Sequence, residues 1–198
     1  IIEQRLHESN IKIIKDNLIE EEIVRKCIKN SHIHRYHINS VDLFLIYCDN
    51  NFSSKKYPNT YKYLEKYKNE LSDRRGPKNN EYEWWRLHRP SVKEFHDAPE
   101  KIIVPYRAEH NRFAYDDQQF FNDGGDIRAI VMKENCGYLI KYILALLNST
   151  LLDWYFGFIG KTKGNSREYF NKPLALIPIK SATQSQQQEL ANLATLMM

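Results

Sequence analysis

The sequence predicts an α+β fold of short antiparallel strands with flanking helices, ending in a helical hairpin, a basic loop and a C-terminal helix. Two patterns carry that expectation. Apolar residues recur at helical spacing in 19–30, 57–71 and through much of 138–198, whereas the apolar runs of 34–48 and 99–132 are short and cut by Pro, Gly, Asn and Asp into pieces of strand length. Composition sets the class. With 198 residues, 42% hydrophobic and 27% charged, the chain can close one sizeable core or two small lobes.

Ile19, Ile23, Val24, Cys27 and Ile28 fall at helical spacing in LIEEEIVRKCIKN, with acids early and bases late as the helix dipole favours. RYHIN and VDLFLIYCD, rich in strand formers, read as one or two strands leaving that helix. Tyr57, Tyr61, Leu64, Tyr67 and Leu71 predict a second helix, with Pro58 near its start, where a missing N–H costs little. DRRGPKNNEYEWWRLHRP, with four arginines and the adjacent Trp84 and Trp85, reads as a loop containing a short strand. KIIV, NRFAYD, QQFF and DIRAIVM, separated by turn signals that include NDGG, suggest an antiparallel meander. Two lobes would divide near 100–135. Helical period returns in YLIKYILALL, breaks at Asn148 and Ser149, which can cap a new start, and resumes in TLLDWYFGFI. GKTKGNSRE reads as a loop, followed by a proline-bracketed strand and a tail helix in QSQQQELANLATLMM.

Several chemistries are disfavoured. Cys27, Cys48 and Cys136 are odd in number and form neither a C-x-x-C pair nor a zinc spacing, which suits free thiols in a reducing cytoplasm. Tyr138 to Phe158 is interrupted by Lys141, Asn148, Ser149 and Asp153, so two packed core helices explain it better than a membrane span of about 20 apolar residues. The chain opens on Ile1 without a secretory signal and reads as a piece of a longer protein. Gly160-Lys161-Thr162 is not a P-loop, because Tyr155 stands where that motif needs glycine. His32, His34 and His37 lack an accompanying acidic or cysteine ligand, and Asp116-Asp117 and Glu81/Glu83 lack the lysine-bearing pattern of a metal-dependent nuclease. Asp116 reads as a solvated turn residue.

Net charge is only +4, so affinity for nucleic acid requires basic residues gathered on one face. Basic side chains do interleave with aromatics and amides along the chain. Lys161, Lys163, Arg167, Lys93 and Arg35 are the candidates for phosphate contacts. Arg74, Arg75, Arg86, Arg107 and Asn165 are the candidates for base edges, since Arg and Asn can read them bidentately. Gly160 and Gly164 would permit close backbone approach in the GKTKGNSRE segment. At least one of the adjacent tryptophans should face a core.

The blocks IHRY, YPNTYKYLEKYKNELSDR, EWWRLHRP, KIIVPYRAEHNRFAYD, FNDGGD, ALLNSTLLDWYF, GKTKGNSREYFNKPL and IPI occur in an order that resembles the TaqI-like C-terminal specificity domain. That domain belongs to adenine-specific DNA methyltransferases and type IIG restriction-modification enzymes. The resemblance covers roughly 20–198, leaving 1–18 as a poorly matched lead-in and 19–198 as the domain. It implies a sequence-specific target-recognition domain of a bacterial or archaeal restriction-modification protein, monomeric and cytoplasmic, with double-stranded DNA as partner. The DNA would be clamped against a methyltransferase domain of the same polypeptide, which flips adenine from the stack and uses S-adenosylmethionine. Mg2+ would enter where the parent also cleaves as a type II restriction enzyme. The family's Asn-Pro-Pro-Tyr motif is absent, NKPL at Asn171 being different, so no catalytic residue is carried over and no cofactor is expected in this chain. The competing reading is a protein-interaction module using the Tyr-rich helix and Trp84-Trp85; a small nuclease ranks third, for want of a ligand set.

Overall fold

The structure is a computed structural model and describes residues 5–6, 10–39, 43–87, 96–122 and 127–198. The chain forms two compact units, one from 1–28 and 41–93 and the other from 29–40 and 94–198. Residues 100–135, where the sequence suggests a division, lie inside the second unit.

In the first unit, β1 (Arg5–Leu6), α1 (Asn10–Asp16), β2 (Val24–Ile28) and β3 (Phe44–Ile46) precede three short helices, α2 (Pro58–Glu65), α3 (Lys68–Ser72) and α4 (Arg75–Lys78). β3 runs antiparallel to both β1 and β2, with Leu45 opposite Arg5 on one side and Arg25 on the other. Ile19, Ile23, Ile46, Cys48, Phe52, Tyr63, Leu64 and Leu71 form the core. The helix expected over 19–30 is instead a 3-10 turn, Glu21–Ile23, leading into β2. Ile19 and Ile23 do face the core, but the next residues give their backbone to β3 and its approach, Cys27 N donating to Leu43 O at 2.8 Å. Adjacent Cys27 and Ile28 are both fully buried, so their match to a helical stripe reflects a strand covered on both sides.

The helix expected over 57–71 is two helices broken at Lys66 and Tyr67, with Pro58 in the first turn as expected. Its start is capped from a distance. Tyr57 supplies no side-chain cap, and the Glu20 carboxylate accepts from Asn59 N and Thr60 N, both at 2.9 Å, and from the Thr60 hydroxyl. Burial by itself would raise the pKa of Glu20, but these donors outweigh it and hold the carboxyl below its usual value. The segment 73–87 holds α4 and turns, without the expected strand.

The second unit contains β4 (Lys101–Pro105), β5 (Arg107–Ala108), β6 (Ala114–Asp116), β7 (Phe121–Asn122), β8 (Ile127–Ile130), α5 (Ile140–Leu147), α6 (Thr150–Ile159), β9 (Lys161–Lys163), β10 (Ser166–Glu168), α7 (Asn171–Ala175) and α8 (Gln184–Leu196). β4, β6 and β8 form an antiparallel sheet, but not in meander order: β4 lies between β6 and β8, Ile103 facing Ala114 and Ala129. All five β4 residues are buried, which suits the central position. Asn122 opens the NDGG turn signal, whose remaining residues lie outside those described.

Asp116 is buried, not solvated. Its carboxylate meets Lys101 Nζ at 2.8 Å with both side chains fully buried, and accepts from Gln118 N and Phe120 N at 2.8 and 3.0 Å. The Lys101 ammonium also donates to His96 O at 3.0 Å. This pair fixes the turn after β6, so the strand pattern was legible while its buried charge was not.

α5 is apolar and buried among Ile102, Val104, Phe113, Leu152, Phe156 and Tyr169. It bends by 67° into α6, and no single helix among the described residues is long and apolar enough to cross a membrane. Ser149 caps α6 as expected, accepting from Leu152 N. Asn148 does more than interrupt the helices: buried, it accepts from Phe113 N and donates to Phe113 O. The expected proline-bracketed strand is instead α7 followed by a turn, Pro173 being tolerated within the helix's first turn. The expected tail helix is α8, capped by Thr183 and Gln186. Cys27 and Cys48 are buried and Cys136 is half-buried.

Candidate nucleic-acid interface

GKTKGNSRE is a β-hairpin, not a loop. Lys163 pairs with Ser166, Thr162 with Arg167 and Lys161 with Glu168, joined by Gly164-Asn165. Gly164 has φ +61 and Asn165 is not among the residues with positive φ, the arrangement of a type II′ turn, which places glycine first. The Gly-Asn pair between alternating residues was the available sequence signal. β10 also pairs with β5, Arg167 opposite Ala108 and Glu168 opposite Arg107, so Arg107, Glu168 and Lys161 form one row across a three-stranded sheet.

Alternation along β10 separates two roles. Arg167 points to α6, where Nη1 donates to Asp153 O at 2.8 Å and Asp153 Oδ1 at 2.7 Å. Gly157 leaves room for this guanidinium, whose Nη2 would lie 3.4 Å from an added Cβ. Asp153 also accepts from Asn111 N at 2.7 Å and lies 3.0 Å from His110 Nδ1. Burial pushes its pKa up, but these donors and the Arg167 charge prevail and lower it. Arg167 is therefore a strut between hairpin and helix, its side chain only 16% exposed, and is not presented as the open phosphate contact expected from sequence.

Glu168 lies on the opposite face of β10. It accepts from Arg107 Nε at 2.9 Å and Nη2 at 2.5 Å, and Lys161 Nζ stands 3.4 Å from its other oxygen. The Arg107 hydrogen bond is the chief reason its pKa is lowered, and the same contact raises that of Arg107. Lys161, Thr162, Lys163, Gly164 and Asn165 are exposed, and Lys163 has no ion-pair partner among the described residues. The hairpin is tied down at its base and open at its tip.

The other candidates are scattered. Exposed Arg35 donates to Asn148 O, and Lys93 lies outside the described residues. In the first unit, Arg74 clamps the carbonyls of Leu71, Trp84 and Arg86, a structural use that its sequence context did not reveal. Arg75 is exposed. Arg86 donates to Asn50 Oδ1 and lies 4.9 Å from the Tyr82 ring. Both tryptophans pack against the first unit's core, Trp85 on Phe52 and Trp84 on Tyr61, which removes much of the aromatic surface invoked for a protein-interaction module. His34 and His37 stack at 5.3 Å, and no group of three His, Cys, Asp or Glu suited to a metal occurs among the described residues.

Sequence reasoning passed over Arg128, in β8. Its Nε donates to Asn171 Oδ1 at 3.1 Å, and its guanidinium lies 5.6 Å from the Tyr106 ring and 5.3 Å from that of Phe170. An arginine within DIRAIVM looks like an ordinary polar strand position.

The model of the TaqI-like C-terminal specificity domain matches residues 25–179. The chain is 35% identical over 91 residues to the type II methyltransferase M.HindII of Haemophilus influenzae, covering 43% of this chain and 17% of that protein. It is 27% identical over 117 residues to the type II restriction enzyme and methyltransferase RM.Eco57I of Escherichia coli, covering 54% and 11%. Against the type II methyltransferase M.MjaIV of Methanocaldococcus jannaschii, identity is 23% over 197 residues, covering 95% and 64%. The chain thus spans less than two thirds of each of these relatives. Its fold is similar to that of the type IIL restriction-modification enzyme MmeI, whose structure was solved in complex with DNA, with TM-score 0.63 and 12% identity over 98% of this chain and 25% of that one. With most of its length matched, the chain belongs to the family of TaqI-like C-terminal specificity domains.

Proposed function

We propose that this chain is a non-catalytic module that binds duplex DNA and supplies target specificity to a restriction-modification enzyme. The observation that carries the reading is the β9–β10 hairpin, anchored through Arg167 and Glu168 while Lys161, Lys163 and Asn165 stand in solvent. The lysines serve as phosphate contacts that set register, and Asn165 at the turn as a reader of a base edge. Arg35 and Lys93 are further phosphate contacts, and Arg75 and Arg86 further base contacts, in this proposal.

Adenine methylation with S-adenosylmethionine, and Mg2+-dependent cleavage where the parent cleaves, belong in this reading to another part of the polypeptide. The pairs β1–β3, β2–β3, β4–β6, β4–β8, β5–β10 and β9–β10 are antiparallel, unlike the parallel sheets whose strand-end crevice binds nucleotide-like cofactors. Leu151, Trp154 and Phe158 project from α6 with 68%, 61% and 71% exposure. This apolar stripe supports docking of the methyltransferase domain on α6, since exposed patches of this kind commonly mark interfaces. We further propose a monomeric, cytoplasmic protein.

The test is fluorescence anisotropy with a randomised duplex pool across a salt series, followed by sequencing of the retained DNA. One enriched motif and affinity that falls steeply with salt are expected, and Lys163→Ala should weaken all sequences and flatten the salt slope by about 0.9. Retention without enrichment in the 198-residue chain would refute autonomous specificity.

A further inference from the structure

A second concentration of positive charge lies on the Glu168 face of the β5–β10–β9 sheet. Tyr106 and Phe170 meet edge to face at 5.8 Å. Arg107 and Arg128 lie 4.8 and 5.6 Å from the Tyr106 ring, while Arg128 and Lys161 lie 5.3 and 5.8 Å from the Phe170 ring. Glu168 is the carboxylate that the described ion pairs place among these three cations, and it takes Arg107 and Lys161. Among the described residues Arg128 is left with an amide oxygen and two ring faces, and its buried Nη1 has no hydrogen-bond partner. Aromatic rings attract cations without neutralising them.

We propose that Arg107, Arg128 and Lys161 form one binding patch for a phosphodiester of the DNA backbone, separate from the hairpin tip. The proposal rests on the DNA-binding reading and deepens it. Two guanidiniums sharing one ring, with an ammonium beside them and one carboxylate among the three, leave uncompensated charge that a phosphate would relieve. The same geometry moves Arg107 from base reading to backbone binding. Nε and Nη2 are committed to Glu168, so the paired donors of that edge are no longer available for bidentate contact with a guanine edge. Arg128 enters as a contact that the sequence did not nominate.

Arg128→Gln tests this in the 198-residue chain with the enriched duplex and an unrelated duplex. Affinity should fall by the same factor for both, the enriched motif should stay the same, and Arg128→Lys should restore the salt slope. Combined with Lys161→Gln, the slope should become shallower by about 0.9, one phosphate's worth, and a change near 1.8 would assign the residues to separate phosphates and overturn the single patch. An altered motif in Arg128→Gln would make Arg128 a base reader, and unchanged affinity and slope would remove it from the interface; either overturns the proposal. Should Arg128→Gln lose its circular dichroism, Lys161→Gln alone carries the test at a 70% exposed side chain, and a wild-type slope there overturns it. If the patch variants match wild type while Lys163→Ala loses slope, the patch fails and DNA binding stands. If wild type retains no duplex, both fail.

Discussion

Replacing Arg167 by methionine separates a structural arginine from a DNA-contacting one. The guanidinium gives two charge-assisted hydrogen bonds to Asp153, at 2.7 and 2.8 Å, from a position 16% exposed. Hydrogen bonds to charged groups contribute about 1.5–3 kcal/mol. The aliphatic stem is preserved in methionine, and Asp153 keeps Asn111 N and His110 as partners, so the loss should lie near the middle of that range, about 2 kcal/mol. For a domain of this size that corresponds to roughly 4–8 °C in Tm. The assay pairs thermal denaturation with salt-dependent anisotropy on one duplex. Arg167→Met should lower Tm and keep the salt slope, whereas Lys163→Ala should keep Tm and flatten the slope. A shallower slope with unchanged Tm in Arg167→Met would refute the strut and restore the sequence-based phosphate role.

Lys101→Met should cost roughly 3–5 kcal/mol in chemical denaturation, because it leaves the Asp116 carboxylate buried without its cation; adding Asp116→Asn should recover part of the loss, and a cost under about 1 kcal/mol for the single variant would contradict the pair's role. Glu20→Gln should cost about 1 kcal/mol through weaker capping of α2, measured by the same unfolding curves. Glu20 and Asp153 both have lowered folded-state pKa values. Their contribution is therefore complete above the unfolded carboxylate value of about 4 and is lost as pH falls through the lower folded values. Unfolding curves from pH 6 to 2 should show that loss, with the Glu20 part missing in Glu20→Gln.

Local rules were enough for the chain's own periodic segments: the α5–α6 pair broken at Asn148-Ser149, the Thr183-capped α8, the Pro58 helix start and the apolar strand KIIV. In each, capping chemistry and apolar spacing act within a few residues. Glycine and asparagine at 164–165 also carry a local hairpin signal, two turn residues between alternating positions that pair Lys163 with Ser166. The family's ordered blocks identified the class of domain for the same reason, being a property of linear order. Tertiary structure decided what spacing cannot encode. It turned 24–28 from a helical stripe into a strand by supplying β3 as partner, and placed β4 between strands that follow it in sequence. It also sorted the cations. Arg74 and Arg167 are spent on carbonyls and on Asp153, Lys163 is left in solvent, and Arg107, Arg128 and Lys161 gather around two rings from three separate strands. A basic side chain's role depends on which acceptors lie within about 3 Å of it, and residues distant in sequence come that close only when the chain has folded.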